Sequence, residues 1–285
     1  MARRRARGTG SAGRRRSGRG RGTARRGVVA RARAWLGTRR WAELPVAAWA
    51  LLAVALLLAL NLAVQVIRKP TELLGAVVPT SPKPPAETWA EYGGLFEAHA
   101  TDLVRPELLA ALVQVESAGD PLARTYWRWR WTTDPLRVWA PASSAVGILQ
   151  ITDGTYAQAR RLCIHDHRVA RDGAWWDPDA CWFNALYLRT VPSHAVEMTA
   201  AWLHVCAADA IAASGATGAG SAEARRLAAV IHLCGRERGA AFARRGFAAA
   251  PGERCGDHEL AAYLARVDGL AAAFARMGAQ ADARR

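Results

Sequence analysis

Apolar and polar positions divide the chain into stretches with different patterns. Residues 1–40 contain few large apolar side chains, residues 46–67 are almost entirely apolar, and from Glu87 onward apolar residues recur at helical spacing. The last pattern predicts a mainly α-helical domain over residues 87–285. Besides a helix that begins at Pro106, helices are expected at about 153–163, 180–190, 194–214, 222–234, 237–248 and 258–277.

The helix that begins at Pro106 carries the first candidate for chemistry. Proline is favoured in a first turn, and Gly119 suits the left-handed position that ends a helix. Glu116 falls in the last turn, on the apolar stripe that includes Leu112 and Val113. Burial and the negative end of the helix dipole both disfavour a charged carboxylate there. Glu116 is therefore a candidate general acid.

One segment breaks the helical pattern. In Tyr126–Trp131 (YWRWRW), tryptophan alternates with arginine at the period of a β-strand. Residues 133–135 (TDP) can turn the chain back toward Trp139, which predicts a β-hairpin. The tryptophans either stack on sugar rings, with an arginine beside a substrate carboxylate, or form the hairpin's own buried face.

The apolar run predicts one transmembrane helix. Its 22 residues, 46–67, include no charged side chain, and only Asn61 and Gln65 are polar. At 1.5 Å per residue the run reaches about 33 Å, enough to cross a bilayer. It is longer than the apolar part of a signal peptide, so we expect an uncleaved anchor. The proline-rich linker that follows, residues 68–86, is expected to act as a semi-rigid spacer that holds the domain off the bilayer.

The net charge of +15 belongs to the N-terminal tail. Residues 1–40 contain 15 arginines and no acidic residue, whereas the rest of the chain carries 24 basic and 24 acidic side chains. This division argues against nucleic acid as a partner of the folded domain. The tail is expected to be disordered and to keep the N-terminus in the cytoplasm, with the domain on the periplasmic or outer side of the inner membrane. Binding of RNA, DNA or anionic lipid by the tail stays an alternative.

All the cysteines lie in the predicted exported domain. Up to two disulfides with one remaining thiol are expected in an oxidising compartment, and the sequence does not select among the pairings. Cys163, His165 and His167 form a competing candidate for a metal site, but no CxxC motif accompanies them. We therefore expect neither a metal nor a cofactor. The cysteines are Cys163, Cys181, Cys206, Cys234 and Cys255.

Three blocks, in order along the chain, resemble the lytic transglycosylases of the soluble Slt type. The first is LLAALVQVESAGDPLA (108–123), in which the pair Glu116-Ser117 ends a helix. The second is SSAVGILQITDGTYAQAR (143–160), in which Gly147-Ile148-Leu149-Gln150 forms the turn before the next helix. The third is HELAAYLARV (258–267), which contains Tyr263. The resemblance extends over about residues 95–270.

The resemblance implies a lysozyme-like domain that cleaves the MurNAc–GlcNAc β-1,4 bond of peptidoglycan without a cofactor. Glu116 would protonate the leaving oxygen and then act as a base. The substrate's N-acetyl group would assist, and the muramyl O6 would attack C1 to leave a 1,6-anhydro end. The residues expected to bind substrate are Ser117, Gly147, Ile148, Gln150 and Tyr263.

The chain departs from the family pattern in one block. The family's Ala-Tyr-Asn-Ala-Gly aligns best with residues 231–235, so that His232 stands in place of the tyrosine and Leu233 in place of the asparagine. His232 either takes over the sugar contact or only packs in the domain. The segment 124–142 is also longer than the family's usual link.

Two alternatives to a transglycosylase stay open. A lysozyme-type hydrolase would need a second carboxylate, for which Asp134 is a candidate. A non-catalytic scaffold would only bind glycan within an envelope complex, and the altered block favours that function. The expected partners are thus peptidoglycan strands, the cytoplasmic membrane and, as a further candidate, a protein of the envelope machinery.

Overall fold

The computed structural model describes residues 45–69, 71–72, 78–174, 176–215 and 220–284. The arginine-rich tail, residues 1–40, and residues 70 and 73–77 of the linker lie outside the described residues, so the predictions made for them stay predictions. The chain forms two compact units, residues 1–56 and residues 57–285. The described part of the first unit is the beginning of the long apolar helix, and the second unit holds the remaining elements.

The described residues are mainly helical, with short antiparallel strand pairs. The helices are α1 Val46–Arg68, α2 Pro85–Ala98, α3 Pro106–Ser117, α4 Asp153–Ala159, α5 Pro192–Ser214, α6 Ser221–Cys234, α7 Arg236–Arg244 and α8 Leu260–Asp282. The strands are β1 Trp127–Trp129, β2 Trp139–Pro141, β3 Leu162–His165, β4 Arg168–Arg171, β5 Arg254–Cys255 and β6 His258–Glu259. Single 3-10 turns cover Pro135–Arg137 and Asn184–Leu186.

Helix α3 begins and ends close to where the sequence predicts. Pro106 occupies its first turn, and the helix ends at Ser117. Ala118 takes the left-handed cap conformation with φ 49°, and Gly119 follows with φ 74°. A side chain at Gly119 would come within 2.7 Å of Thr88 Oγ1, so the position needs glycine for space as well as for conformation. The prediction of the stop is confirmed, with the cap one residue earlier than expected.

The hairpin predicted from the YWRWRW segment is confirmed. Strands β1 and β2 pair antiparallel, with Trp127 opposite Pro141 and Trp129 opposite Trp139. The ring of Trp139 lies 4.9 Å from that of Trp129 and 6.1 Å from that of Trp127. Trp129 and Trp131 are nevertheless exposed, so the alternative of a buried tryptophan face does not hold for these two residues.

The sequence prediction is wrong at two places in the region before α5. Residues 180–190, expected to be helical, contain only the 3-10 turn Asn184–Leu186, because their large apolar side chains are exposed and do not form a stripe against the core. Helix α4 ends at Ala159, and β3 follows where the helix was expected to continue. The Ile164 N–H in β3 donates a 2.9 Å hydrogen bond to the buried carboxylate of Glu197 in α5, a long-range partner that helical periodicity does not reveal.

The core of the second unit lies between packed helices. Helix α8 lies along α3 and also contacts α2 and α6, while α5 packs against α6 and α7. Each large apolar side chain that becomes fully buried contributes about 1.5–3 kcal/mol to the free energy of unfolding. The largest of these side chains are Phe96, Phe242, Phe274, Leu108, Leu109, Leu112, Ile148, Leu149, Met198, Leu203, Leu227 and Ile231.

Two described helices are long and apolar enough to cross a membrane. In α5 the apolar window is 67% buried, and the helix serves as a core element of the domain. In α1 only 11% of the window is buried, and the long row of leucines is exposed. The composition of α1 is thus compatible with membrane anchoring.

Both ends of the proline-rich linker contact the folded domain. Near its beginning, the Lys69 ammonium pairs with Glu72 at 3.0 Å, and Glu72 accepts a 2.9 Å hydrogen bond from the Trp127 indole. Near its end, the Ser81 N–H donates to the buried Asp120 carboxylate at 3.2 Å. Polar side chains at both described ends of the segment thus find partners on the domain, and the expected role as a spacer from the bilayer stays a prediction.

The structure contains two disulfides, Cys163–Cys181 and Cys234–Cys255, and leaves Cys206 as a buried thiol. The prediction of two disulfides and one remaining thiol is confirmed. Because Cys163 is in a disulfide, it has no thiolate to offer a metal beside His165. The second disulfide ties the end of α6 to strand β5, which comes just before α8.

We predict that replacing both Cys234 and Cys255 by alanine lowers the free energy of unfolding by about 3 kcal/mol, because the bond closes a loop of 21 residues in the unfolded chain. Chemical denaturation of the oxidised proteins measures the difference. Cys206→Ala is the control and should cost only about 1 kcal/mol, the cost of a small cavity. Equal stability of wild type and double variant would contradict the prediction.

Candidate active site

Three side chains from separate parts of the sequence meet at Glu116. Glu116 lies in the last turn of α3, His232 in the last turn of α6 and Tyr263 in the first turn of α8. The Tyr263 hydroxyl donates a 3.0 Å hydrogen bond to Glu116 Oε1, and His232 Nε2 lies 3.6 Å from the same oxygen. The Glu116 side chain keeps 19% of its surface exposed, so the carboxylate can be reached from solvent.

Helix packing brings these residues together. In α3, Leu112 and Val113 are fully buried one turn before Glu116, which places the carboxylate at the edge of the core. In α8, Leu260 and Leu264 are buried on the side that carries Tyr263. Because α8 packs along α3, the start of one helix meets the end of the other. The apolar stripes therefore determine where the polar groups meet.

Burial sets the protonation states of the two groups beside Glu116. Burial, reinforced by the Glu116 carboxylate, raises the pKa of Tyr263 well above its usual value, so its hydroxyl remains a donor. Burial lowers the pKa of His232, although the nearby Glu116 opposes the shift, so the imidazole is neutral at neutral pH. The site thus presents an accessible carboxyl group next to one neutral donor and one uncharged ring. A carboxyl group in this setting can give a proton to a bound substrate and take one back.

The turn at residues 147–150 lies beside the end of α3. Val146 and Ile151 close it with two backbone hydrogen bonds of 3.2 and 3.0 Å. Gly147 has φ 83°, and a side chain there would come within 1.9 Å of the Arg189 carbonyl oxygen. Gln150 also has a positive φ, of 46°. Only glycine fits the first position of this turn.

Ser117 joins this turn to helix α3. Its hydroxyl lies 2.7 Å from the Ile148 carbonyl oxygen, to which it donates. Ile148 is only 1% exposed and its side chain belongs to the core, so the expected substrate contact at Ile148 stays a prediction. The Gln150 amide donates to the carbonyls of Gly147 and Ala123 at 2.9 and 3.0 Å. In this structure Ser117, Ile148 and Gln150 hold the turn in place next to Glu116.

Two other acidic residues between Glu116 and Gln150 are engaged in local structure. The Asp120 carboxylate is buried and accepts hydrogen bonds from the N–H groups of Leu122 and Ser81. Asp134 accepts a 2.9 Å bond from the Leu136 N–H and pairs with Arg137 at 3.3 Å. Asp120 thus stabilises the end of α3, and Asp134 caps the hairpin loop. Neither interaction directs a second carboxylate toward Glu116.

Arg189 is a supporting residue that the sequence analysis missed. Its guanidinium pairs with Asp153 at 2.9 Å and donates to the carbonyls of Ser144 and Ile151, on either side of the turn. Its own carbonyl lies against Gly147. Residue 189 falls in the segment wrongly expected to be helical, so its sequence pattern gave no sign of this role. The glycine at position 147 is the one sequence feature that is typical of such a close backbone approach.

Comparison with models of known protein families gives no match for this chain, and comparison with curated proteins finds no similar sequence. A functional assignment therefore depends on the three sequence blocks and on the geometry around Glu116.

We predict that Gly147→Ala destabilises the protein by at least about 2 kcal/mol, because it combines a strained backbone with a clash against the Arg189 carbonyl. Thermal and denaturant unfolding measure the loss. Gly154→Ala in α4 is the matched control, since a side chain there has open space, and it should change stability by less than about 1 kcal/mol. Equal effects at both positions would contradict the role assigned to the turn.

We predict that His232 makes the protein less stable as the pH falls below about 6.5, the ordinary pKa of histidine. Its pKa is lowered in the folded state, so the unfolded chain binds the proton more readily and the free energy of unfolding decreases with falling pH. Denaturant unfolding between pH 7.5 and 5 should show a weaker pH dependence in His232→Gln than in wild type. His258→Gln, at an exposed position, is the control. An unchanged slope in His232→Gln would contradict the prediction.

Proposed function

We propose that the chain is a membrane-anchored lytic transglycosylase of peptidoglycan, with Glu116 as its general acid and base. The observation that carries the proposal is the meeting of Glu116, His232 and Tyr263 at one carboxylate oxygen. Glu116 and Tyr263 come from the first and third blocks that resemble the family. His232 comes from the block in which the chain departs from the family pattern. Their convergence supports a lysozyme-like arrangement of the domain.

The proposed reaction needs one carboxylic acid and no water. Protonated Glu116 gives its proton to the glycosidic oxygen as the bond from C1 of the muramyl sugar to that oxygen breaks. The substrate's N-acetyl group stabilises the positive charge that develops at C1. The Glu116 carboxylate then takes the proton of the muramyl O6 hydroxyl while O6 attacks C1. The products are a 1,6-anhydro-muramyl end and a free GlcNAc hydroxyl, and Glu116 is protonated again.

Tyr263 and His232 suit the two halves of this cycle. The hydrogen bond from Tyr263 fixes one carboxylate oxygen, which orients the other for proton transfer. A neutral His232 places no positive charge beside Glu116, and a positive charge would favour the ionised carboxylate over the acid. Both residues thereby support a group that must lose and regain a proton in each turnover.

The geometry favours a transglycosylase over a lysozyme-type hydrolase. A hydrolase of that type uses a second carboxylate as nucleophile or base. Its candidate, Asp134, caps the hairpin loop and pairs with Arg137. A mechanism that takes its nucleophile from the substrate needs no such residue.

The proposal includes one membrane-spanning helix, α1. It would leave the arginine-rich tail in the cytoplasm and the catalytic domain in the periplasm, as the excess of positive charge before the apolar run predicts. The core position of α5 supports a single span, because its apolar side chains are already covered by the domain.

We predict that Glu116→Gln lowers the release of anhydro-muropeptides from purified sacculi by about 100- to 10,000-fold while the fold is kept. The measurement is the mass of the released products, because an anhydro end is lighter than a reducing end by one water. Glu107→Gln is the matched control: it lies in the first turn of α3, pairs with Arg105 and should leave turnover unchanged. Products with reducing ends only would contradict the proposed mechanism.

One observation favours a second function, that of a glycan-binding scaffold. His232 stands where the family has a tyrosine, directly beside the candidate acid. If the protein is a scaffold, the wild type and Glu116→Gln should bind sacculi equally well, and neither should release products. Release of products by the wild type but not by Glu116→Gln would exclude the scaffold function.

A further inference from the structure

The only polar residues of the apolar run are also its buried residues. Asn61 and Gln65 lie one helical turn apart in α1, and both side chains are covered, while the leucines around them are exposed. The Asn61 amide donates to the Pro135 carbonyl at 3.4 Å, and the Gln65 amide donates to the Leu136 carbonyl at 2.5 Å. Amide groups in a membrane helix need such partners. The hairpin loop supplies them.

These contacts determine which part of α1 the hairpin loop lies against. Asn61 and Gln65 precede Arg68 by seven and three residues, which corresponds to about 10 and 5 Å along the helix axis. In a membrane-spanning α1, the loop at 135–136 would lie at the boundary between acyl chains and head groups. The exposed Trp129 and Trp131 are on the same hairpin. Tryptophan is enriched at that depth in membrane proteins.

A cavity of about 290 Å³ opens at the same end of α1. Its lining includes five basic residues and one acidic residue, together with two serines and two residues of strand β2. The basic residues are Arg68, Lys69, Arg130, Arg137 and Arg189, and the acidic residue is Asp153.

Ion pairs offset part of this charge. Glu72, Asp134 and Asp153 pair with Lys69, Arg137 and Arg189, respectively.

Arg130 is held in the cavity by neutral groups. Its guanidinium donates to the carbonyls of Pro141 and Ala142 at 3.1 and 2.9 Å. These neutral acceptors orient the guanidinium and do not neutralise its positive charge. Arg68 is the last residue of α1 and lines the same cavity. Two guanidinium groups close to an apolar helix match the chemistry of a phosphate that is joined to acyl chains.

We propose that this cavity binds the phosphate of an anionic membrane phospholipid, whose acyl chains lie along the exposed apolar side of α1 near Arg68. The inference rests on the membrane anchor within the proposed function and is independent of glycan cleavage. The bound head group would hold the hairpin against α1, and with it the end of the catalytic domain that carries the hairpin.

Native mass spectrometry of the full chain in detergent tests the proposal. Phosphatidylglycerol, phosphatidylcholine with the same acyl chains, and inorganic phosphate are titrated separately. Wild type should bind one phosphatidylglycerol at least tenfold more tightly than phosphatidylcholine. Replacing both Arg68 and Arg130 by glutamine should weaken phosphatidylglycerol binding about tenfold or more, because two charges that face the phosphate are lost. Arg276→Gln, at an exposed position of α8, makes a like change in charge and should have no effect.

Further variants separate charge from structure. Arg130→Lys keeps the charge and should retain most of the lipid binding, whereas Arg68→Gln, at a helix end, should weaken binding several-fold without disturbing the hairpin. Equal binding by wild type and the double variant would overturn the proposal. Displacement of the lipid by an equal concentration of inorganic phosphate would also overturn it, because it would indicate a site for a soluble anion. Extraction of the protein from membranes by alkaline carbonate would instead count against the anchor itself.

Discussion

The hydrogen bond from Tyr263 to Glu116 is the interaction on which the candidate site depends. It joins residues 147 positions apart and forms only when the start of α8 lies against the end of α3. The left-handed conformation of Ala118 ends α3 immediately after Glu116 and Ser117. The neighbouring residue, Ser117, contacts the turn at 147–150 from the same end of the helix. The last turn of α3 therefore directs the Glu116 side chain toward Tyr263 and the Ser117 side chain toward the turn at 147–150.

The features that the sequence predicted well are those with a local physical cause. Pro106 and the apolar stripe of α3 are enough to predict the helix and the place of Glu116 in its last turn. The alternation in YWRWRW predicts the first hairpin for the same reason, since strand period and a turn signal lie within a few residues. The resemblance of its block gave Tyr263 only as a substrate-binding residue, and its hydrogen bond to Glu116 was not predicted. The core packing that produces this contact cannot be read from either segment alone.

The features that sequence reasoning missed depend on partners far along the chain. Strand β3 lies where the end of a helix was predicted. Its partners come from other segments, because Cys163 forms a disulfide with Cys181 and the Ile164 N–H donates to the Glu197 carboxylate. Arg189 supports the site turn through backbone carbonyls, which no residue pattern encodes. The linker looked like a spacer because proline dominates its composition. The contacts of Lys69, Glu72 and Ser81 with other segments depend on partners that this composition does not reveal.

The hairpin connects the two proposals physically. At its base, the Lys69 ammonium lies 3.4 Å from Thr125 Oγ1, two residues after the carbonyl of Ala123 that accepts a hydrogen bond from Gln150. With about 3.5 Å per residue of extended chain, the Gln150 amide nitrogen lies within roughly 15 Å of the Lys69 ammonium, and Lys69 directly follows α1. In the proposed anchored transglycosylase, a site this close to the anchor would favour cleavage of the glycan strands nearest the membrane. A shift of the hairpin on α1 would also displace Ala123 and hence the turn beside Glu116, so the proposed membrane contact and the proposed catalytic site would share one structural element.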